Sequence, residues 1–72
     1  MKKLTSRERE QLRISAEYTD LAERLKECRA NFDFVTDSDA IDALIFEENS
    51  ILSRMAALTK KAKAAGFRIE PF

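Results

Sequence analysis

Apolar residues recur with the period of an α-helix along most of this 72-residue chain. In the first half they are spaced alternately by four and three residues, which places them on one face of a helix. This stripe comprises Ile14, Tyr18, Leu21, Leu25, Cys28 and Phe32. Before it, Thr5 followed by Glu8 fits a capping box, a pattern typical of helix starts. The pattern predicts a first helix over about residues 5–32.

A second stripe of the same kind fills the other half of the chain. It begins at the sequence TDSD, in which Thr36 or Asp37 can cap a helix and the acids suit the positive end of its dipole. The stripe comprises Ile41, Leu44, Glu48, Ile51, Met55, Leu58, Ala62 and Ala65. Lysines in the last turns and Gly66 as the residue beyond them indicate a helix end. We expect a second helix over about residues 37–65 and a short tail over 66–72.

The two stripes match layer by layer when the chain folds back between them. The facing pairs are Phe32 with Ile41, Cys28 with Leu44, Leu25 with Glu48, Leu21 with Ile51, Tyr18 with Met55, and Ile14 with Leu58. Every layer except that of Glu48 is apolar on both sides. The sequence therefore predicts an all-α fold, in which residues 1–72 form one antiparallel two-helix hairpin.

Four apolar residues have no place in the shared stripes. They are Leu12, Ile45, Phe46 and Leu52. Because two helices share only one line of contact, these side chains need cover from elsewhere. Phe46 has polar helical neighbours, so it is either a partly exposed surface aromatic or an intermolecular contact. We favour the contact and predict a homodimer that forms a four-helix bundle through these four residues.

Charge is balanced overall but unevenly distributed along the chain. Residues 1–13 carry five cations and two acids, residues 14–53 three cations and ten acids, and residues 54–72 five cations and one acid. An antiparallel hairpin brings both basic segments to its open end and leaves the acidic segment toward the turn. Two such hairpins place opposite charges together only when they pack antiparallel, so we expect an antiparallel dimer.

The basic open end is also a candidate site for phosphate groups. Its cations are Lys2, Lys3, Arg7, Arg9, Lys60, Lys61, Lys63 and Arg68. Such a cluster can contact RNA, DNA or another anionic surface. Against this reading, Glu8, Glu10 and Glu70 interrupt the cluster, and the isoelectric point near 6.3 is low for a nucleic-acid binder.

The turn sequence NFDFVTDSD matches an ion-binding loop only in part. Asp37, Asp39 and Glu48 fall at positions 1, 3 and 12 of an EF-hand loop. However, Ile41 stands where a ligand is needed and Asp42 where the sharp turn needs glycine. We therefore assign the aspartates to helix capping and expect no metal. The apolar residues expected to close this end of the hairpin are Phe32, Phe34 and Val35.

Cys28 and Glu48 are the residues of the apolar stripes most able to carry chemistry. The chain contains no histidine that could activate Cys28, so we expect a core residue. Glu48 is either an acid with a raised pKa or a structural residue that pairs with Arg24 or Arg29 across the hairpin, and we favour the structural role. We expect neither enzymatic activity nor a cofactor.

The sequence also indicates a role for the tail and a cellular compartment for the chain. The tail GFRIEPF, with Phe67, Ile69 and Phe72, either docks on a membrane surface or partner or folds back over the open end, which is the simpler role. No apolar run approaches the roughly 20 residues of a membrane span, and the first residues lack the apolar segment of a signal peptide. With a single cysteine, the chain fits a reducing cytoplasm.

Residues 31–63 resemble the core of the small YaaL-like proteins of endospore-forming bacteria, a family of unknown function. That family typically combines an Asn–aromatic–Asp–aromatic turn, the sequence VTDPDLID and an aromatic residue one turn later. The matching residues are Asn31, Phe32, Asp33, Phe34, Val35, Thr36, Asp37, Asp39, Ile41, Asp42, Ile45 and Phe46, with Ser38 where proline is common. The resemblance implies a bacterial cytoplasmic protein without catalytic residues, and it gives Phe46 a family counterpart.

These patterns together predict a non-enzymatic helical interaction or regulatory module that self-associates. The alternative is a nucleic-acid or anionic-surface binder that uses the basic open end.

Overall fold

The computed structural model describes residues 3–69 and contains two long helices. Helix α1 spans Ser6–Asn31 and helix α2 spans Ser38–Ala64. They pack side by side in opposite directions, so that Cys28 near the end of α1 contacts Leu44 near the start of α2. The molecule is a rod of 52 × 25 × 16 Å. The all-α hairpin predicted from the sequence is confirmed.

The start of α1 is the predicted capping box. The Thr5 hydroxyl accepts a hydrogen bond from the Glu8 backbone N–H at 3.1 Å, and the Thr5 N–H donates to the Glu8 carboxylate at 3.0 Å. The Thr5 backbone N–H, which donates to the Glu8 carboxylate, lowers the pKa of Glu8, and the Thr5 side-chain hydroxyl lowers it further, because hydrogen bonds favour the ionised form. The reciprocal pair satisfies two backbone N–H groups, those of Thr5 and Glu8, that a bare helix end would leave to water.

The start of α2 differs from the expectation in one respect. Asp37 occupies the N-cap position with an extended backbone, and its carbonyl accepts the first helical bond from Ile41 N–H at 2.9 Å. Its side chain, however, makes no capping hydrogen bond. Asp39 in the first turn is placed to interact favourably with the helix dipole. The acids therefore favour this helix start through charge rather than through a side-chain cap.

Helix α2 ends in a Schellman motif at the predicted glycine. Gly66 has φ +84°, which a residue with a Cβ adopts only at a cost. Its N–H donates to the Lys63 carbonyl at 3.1 Å, and the Phe67 N–H donates to the Ala62 carbonyl at 3.0 Å. The reversal directs the tail back onto the hairpin, so that Phe67 and Ile69 pack against the core. Phe72 lies outside the described residues.

Side chains from both helices form one apolar core. Its buried members are Ile14, Leu21, Leu25, Cys28, Leu44, Ile51, Leu58 and Ala62. Partly buried residues packed against them are Tyr18, Phe32, Val35, Met55, Phe67 and Ile69. All eight buried residues belong to the two predicted stripes, and we call their line of contact the seam.

Two residues predicted to be covered are instead exposed. Phe34, expected to help close the turn, is 83% exposed. After Phe32 the chain turns tightly, with Phe34 N–H bonded to the Asn31 carbonyl, and only Phe32 and Val35 reach the core. Ala65 is exposed because it is the C-cap of α2, beyond the last layer that α1 covers. The seam therefore ends at Ala62.

Candidate functional site

The four residues predicted to form a dimer surface point in three directions. Successive helical residues are rotated by about 100°, so a residue two positions from a buried one faces away from the partner helix. Phe46 stands in that relation to the buried Leu44 and is 78% exposed. Leu12 stands in the same relation to the buried Ile14. Phe46 and Leu12 therefore lie on opposite outer sides of the hairpin.

Ile45 and Leu52, by contrast, lie on one flank of the seam. Each follows a buried residue of α2 by one position, and the two are seven residues apart, so they share a face. They are 46% and 39% exposed. Ile41 lies four residues before Ile45 and Ala56 four residues after Leu52, which extends the stripe in both directions. We call Ile41, Ile45, Leu52 and Ala56 the apolar face.

The opposite flank of the seam is covered by ion pairs between the helices. Arg54 binds Glu17 through two nitrogens, at 2.7 and 3.1 Å from Oε1. Lys61 Nζ lies 3.6 Å from Glu10 Oε1. Arg54 and Lys61 each follow a buried residue of α2 by three positions, about 300° around the helix, which places them across the seam from Ile45 and Leu52. We call Glu10, Glu17, Arg54 and Lys61 the bridged face.

Sequence reasoning missed one exposed apolar residue, Leu4. It precedes the cap of α1 and lines a shallow groove on the outer side of that helix together with Leu12. The signal was present in the sequence, since Leu4 and Leu12 are eight residues apart and share a helix face if α1 is extended backwards. The pair forms a small surface separate from the apolar face.

Glu48 forms an ion pair across the hairpin, which supports its expected structural role. Its Oε1 lies 3.7 Å from Arg29 Nη2, and its side chain is 27% exposed. Arg24, the other cation considered, pairs with Asp20 of its own helix at 3.9 Å. Glu48 therefore reaches the edge of the seam, where water and a guanidinium compensate its charge.

Cys28 lies in the core with its thiol donating to the Leu44 carbonyl at 3.4 Å. Burial raises its pKa, and the nearby carboxylates of Glu47 and Glu48 raise it further, against a smaller opposite effect of Arg29. The thiol is therefore protonated at neutral pH, a state that is neither a good nucleophile nor a metal ligand.

The acids around the turn do not converge on one point. Asp39 and Glu48 lie in the same straight helix, nine residues or about 13 Å apart along its axis, so they cannot bind one ion. Within residues 3–69, no three His, Cys, Asp or Glu side chains are grouped closely enough to hold a metal. In the same segment, no helix has the apolar length needed to cross a bilayer.

The open end contains both engaged and free cations. Arg7 donates to the Gly66 carbonyl at 3.2 Å, which ties the start of α1 to the end of α2, and Lys61 pairs with Glu10. Lys2 lies outside the described residues. The other cations have no acid within ion-pair distance in the described part of the chain: Lys3, Arg9, Lys60, Lys63 and Arg68.

A groove of about 480 Å³ lies at this open end, between the helices and the returning tail. Its lining includes Tyr18, Thr59, Lys63, Phe67, Arg68 and Ile69. The tail supplies much of one wall, because the Schellman motif turns it back over the hairpin. The groove therefore combines an aromatic and apolar lining with two cations.

Comparison of the chain with protein-family models, curated proteins and solved structures finds no match. The resemblance to the YaaL-like proteins accordingly stays a prediction from the sequence.

Proposed function

We propose that this chain is a non-enzymatic α-helical interaction module that self-associates as an antiparallel dimer, in which two hairpins form a four-helix bundle. The observation that carries the proposal is the apolar face. Ile45 and Leu52 lie beside the buried core, yet within residues 3–69 they remain 46% and 39% exposed. A second hairpin would give them the contact that a single one lacks.

The expected affinity is modest. Complete burial of an Ile or Leu side chain contributes about 1.5–3 kcal/mol, and these side chains are already about half buried. A dimer would bury two of them from each copy, with smaller contributions from Ile41 and Ala56. We therefore expect weak, reversible association, with a Kd on the order of tens of micromolar to millimolar.

Charge favours the antiparallel orientation. The turn of each hairpin carries Asp33, Asp37 and Asp39, whereas Lys60 and Lys63 lie near the other end. An antiparallel dimer sets the acids of each copy near the cations of the other, and a parallel dimer sets like charges together. Because exposed charges are screened over about 8 Å at physiological salt, they select the orientation more than they add affinity.

Light scattering combined with size-exclusion chromatography tests self-association. The chain should change from monomer to dimer between about 20 µM and about 1 mM, the range that brackets the expected Kd. The double variant Ile45→Glu/Leu52→Glu should remain monomeric and helical. Phe46→Glu/Ser53→Glu, which adds the same two charges on the outer side of the same helix, is the matched control and should still dimerise. A wild-type chain that stays monomeric throughout would contradict the proposal.

The second candidate function is binding of RNA, DNA or another anionic surface at the open end. It is favoured by the groove, in which Lys63 and Arg68 stand beside Tyr18 and Phe67. Single-stranded nucleic acids bind to such surfaces through phosphate contacts to cations and stacking of bases on aromatic rings. Neither feature depends on dimerisation.

Fluorescence anisotropy with labelled single-stranded RNA and DNA tests this candidate. Binding should weaken steeply between about 50 mM and about 200 mM salt. The reason is that binding releases counterions from the nucleic acid, and their release is less favourable when the salt concentration is higher. Lys63→Glu/Arg68→Glu should abolish it, while Arg24→Glu/Lys26→Glu makes the same charge change away from the open end and should have a smaller effect. An absence of binding at the lower salt concentration would eliminate this function.

A cytoplasmic location is part of the proposal. Its support is Cys28, a lone thiol buried in the core without a disulfide partner, which suits a reducing compartment. The resemblance of residues 31–63 to bacterial YaaL-like proteins points the same way. Fusion of the chain to a fluorescent protein in its source cell, followed by microscopy, would test the location directly.

A further inference from the structure

We infer that α2 of one copy packs antiparallel against α2 of a second copy, with the two-fold axis between Glu48 and Asn49, so that Ile45 of each packs on Leu52 of the other. The inference rests on the proposed self-association. It adds the register of the two α2 helices and the residues that face each other.

The choice of α2 follows from the composition of the two helices beside the seam. All members of the apolar face belong to α2. On α1, the positions that follow buried residues by one are mostly polar: Ser15, Ala22, Lys26 and Arg29. Arg29 also reaches across to Glu48, which shows that this flank of α1 borders the same side of α2. An apolar contact with a second copy is therefore centred on α2.

The register follows from the spacing of the apolar face. When Ile45 faces Leu52 of the partner, symmetry repeats the contact, and Ile41 faces Ala56 of the partner in the flanking layers. If Leu52 instead faced its own counterpart, Ile45 would face Thr59 and Ile41 would face Lys63. Only the first register pairs every member of the apolar face with another apolar residue.

The charges along α2 are compatible with this register. From a midpoint between Glu48 and Asn49, Asp37 and Lys60 each lie about 17 Å away in opposite directions along α2. Asp37 of one copy is therefore level with Lys60 of the other, and Lys63 is level with the partner's turn, which carries Asp33. At the axis, Glu48 is level with the Asn49 carboxamide, which has N–H donors, rather than with a second carboxylate.

Cysteine cross-linking under mild oxidation, read on non-reducing gels, tests the register. Ile45→Cys/Leu52→Cys should give a covalent dimer, and so should an equimolar mixture of the two single variants. Each single variant alone should remain uncross-linked, because its two copies lie about 10 Å apart along the helices. The same separation prevents a disulfide within one chain. The wild-type chain, whose Cys28 is buried, is the control.

The cross-linking and light-scattering results together distinguish an incorrect register from an absence of self-association. Efficient cross-linking of Leu52→Cys alone would place Leu52 on the axis, and cross-linking of both single variants would indicate parallel packing; either result overturns the register. A dimer in light scattering that gives no cross-link with the double variant or the mixture would also overturn it while preserving self-association. A monomer that gives no cross-link would remove the proposed function itself.

Discussion

The apolar face and the bridged face flank the same seam. Only the bridged face has its side chains paired between the two helices of the hairpin. Glu17 and Arg54 have long side chains that span the gap between the helices, and their atoms meet at 2.7 Å. Ile45 and Leu52 are shorter and branched, and they remain 46% and 39% exposed. Long charged side chains can therefore satisfy one flank of a two-helix hairpin, whereas aliphatic ones need another surface.

The two faces also stabilise the protein in different ways, one through ion pairs and the other through burial of apolar side chains. Exposed ion pairs such as those of the bridged face contribute little each, because water already solvates both partners. The apolar face contributes little to a single hairpin and gains only when it is covered. The seam must therefore hold the hairpin, and the two faces should respond differently to salt, concentration and mutation.

The largest effect should come from the seam that both faces share. Ile51→Ala leaves a cavity among the buried residues and should reduce the free energy of unfolding by about 2–5 kcal/mol. In so small a domain this loss of stability should unfold most of the hairpin. The helical circular dichroism should then largely disappear, and neither face should persist. Ile51→Val, which removes one methyl group, should cost about 0.5–1.5 kcal/mol and leave the hairpin folded. If Ile51→Ala unfolds no more readily than Ile51→Val in urea, the seam does not hold the helices together.

The apolar face should make thermal stability depend on protein concentration. Above the Kd, a tenfold increase in concentration stabilises a dimer by up to about 1.4 kcal/mol, so the Tm of the wild-type chain should rise. Leu52→Gln should lose this dependence while keeping its helical content at low concentration. Phe46→Gln, a comparable change on the outer side of α2, should retain it. A Tm independent of concentration in all three chains would show that the apolar face stays uncovered.

The bridged face should contribute less and should respond to salt. Glu17→Gln and Arg54→Gln should each cost about 0.2–1 kcal/mol, and the double variant should cost less than their sum because the two groups interact. The coupling energy should fall when salt is raised to about 1 M, where the Debye length is about 3 Å. Glu23→Gln, which removes an acid without an ion pair among the described residues, is the control. A coupling insensitive to salt would indicate a contact other than this ion pair.

The smallest effect should come from the cap of α1, outside both faces. Because the Thr5 hydrogen bonds lower the pKa of Glu8 in the folded chain, the ionised carboxylate favours folding. This contribution is present above the ordinary glutamate pKa and is lost as the pH falls through the lowered value. Glu8→Gln should therefore flatten the acid side of the stability–pH profile and change little on raising the pH above neutrality. Urea titrations at a series of pH values measure this, and an unchanged acid slope would refute it.

Local patterns predicted the helices, their ends and their pairing with few errors. The capping box at Thr5 and the Schellman glycine at Gly66 involve groups within a few residues of each other, so the chain's own sequence contains the whole interaction. The seam followed from periodicity, because residues three and four apart share a helix face. The expectation of burial was wrong at Phe34, in the turn after α1, and at Ala65, the C-cap of α2, because regular helical periodicity stops at both places.

The sequence did not predict on which side of the hairpin each candidate interface residue lies. Leu12, Ile45, Phe46 and Leu52 were grouped because each lies outside the seam, but periodicity on one helix says only that a residue is not buried there. It does not say on which side of the hairpin the residue lies. Likewise, the sequence left Arg24 and Arg29 as equal partners for Glu48, although only Arg29 points toward it.

The sequence by itself therefore determined two helices, their caps and an antiparallel seam, since these depend on short-range hydrogen bonds and on a repeat of about 3.6 residues. The tertiary structure decided that Arg7 reaches Gly66, that ion pairs close one flank, and that Ile45 and Leu52 remain together on the other. These features join residues up to 59 positions apart, as Arg7 and Gly66 are. Such contacts are set by how two rigid helices lie against each other, and no local pattern encodes that arrangement.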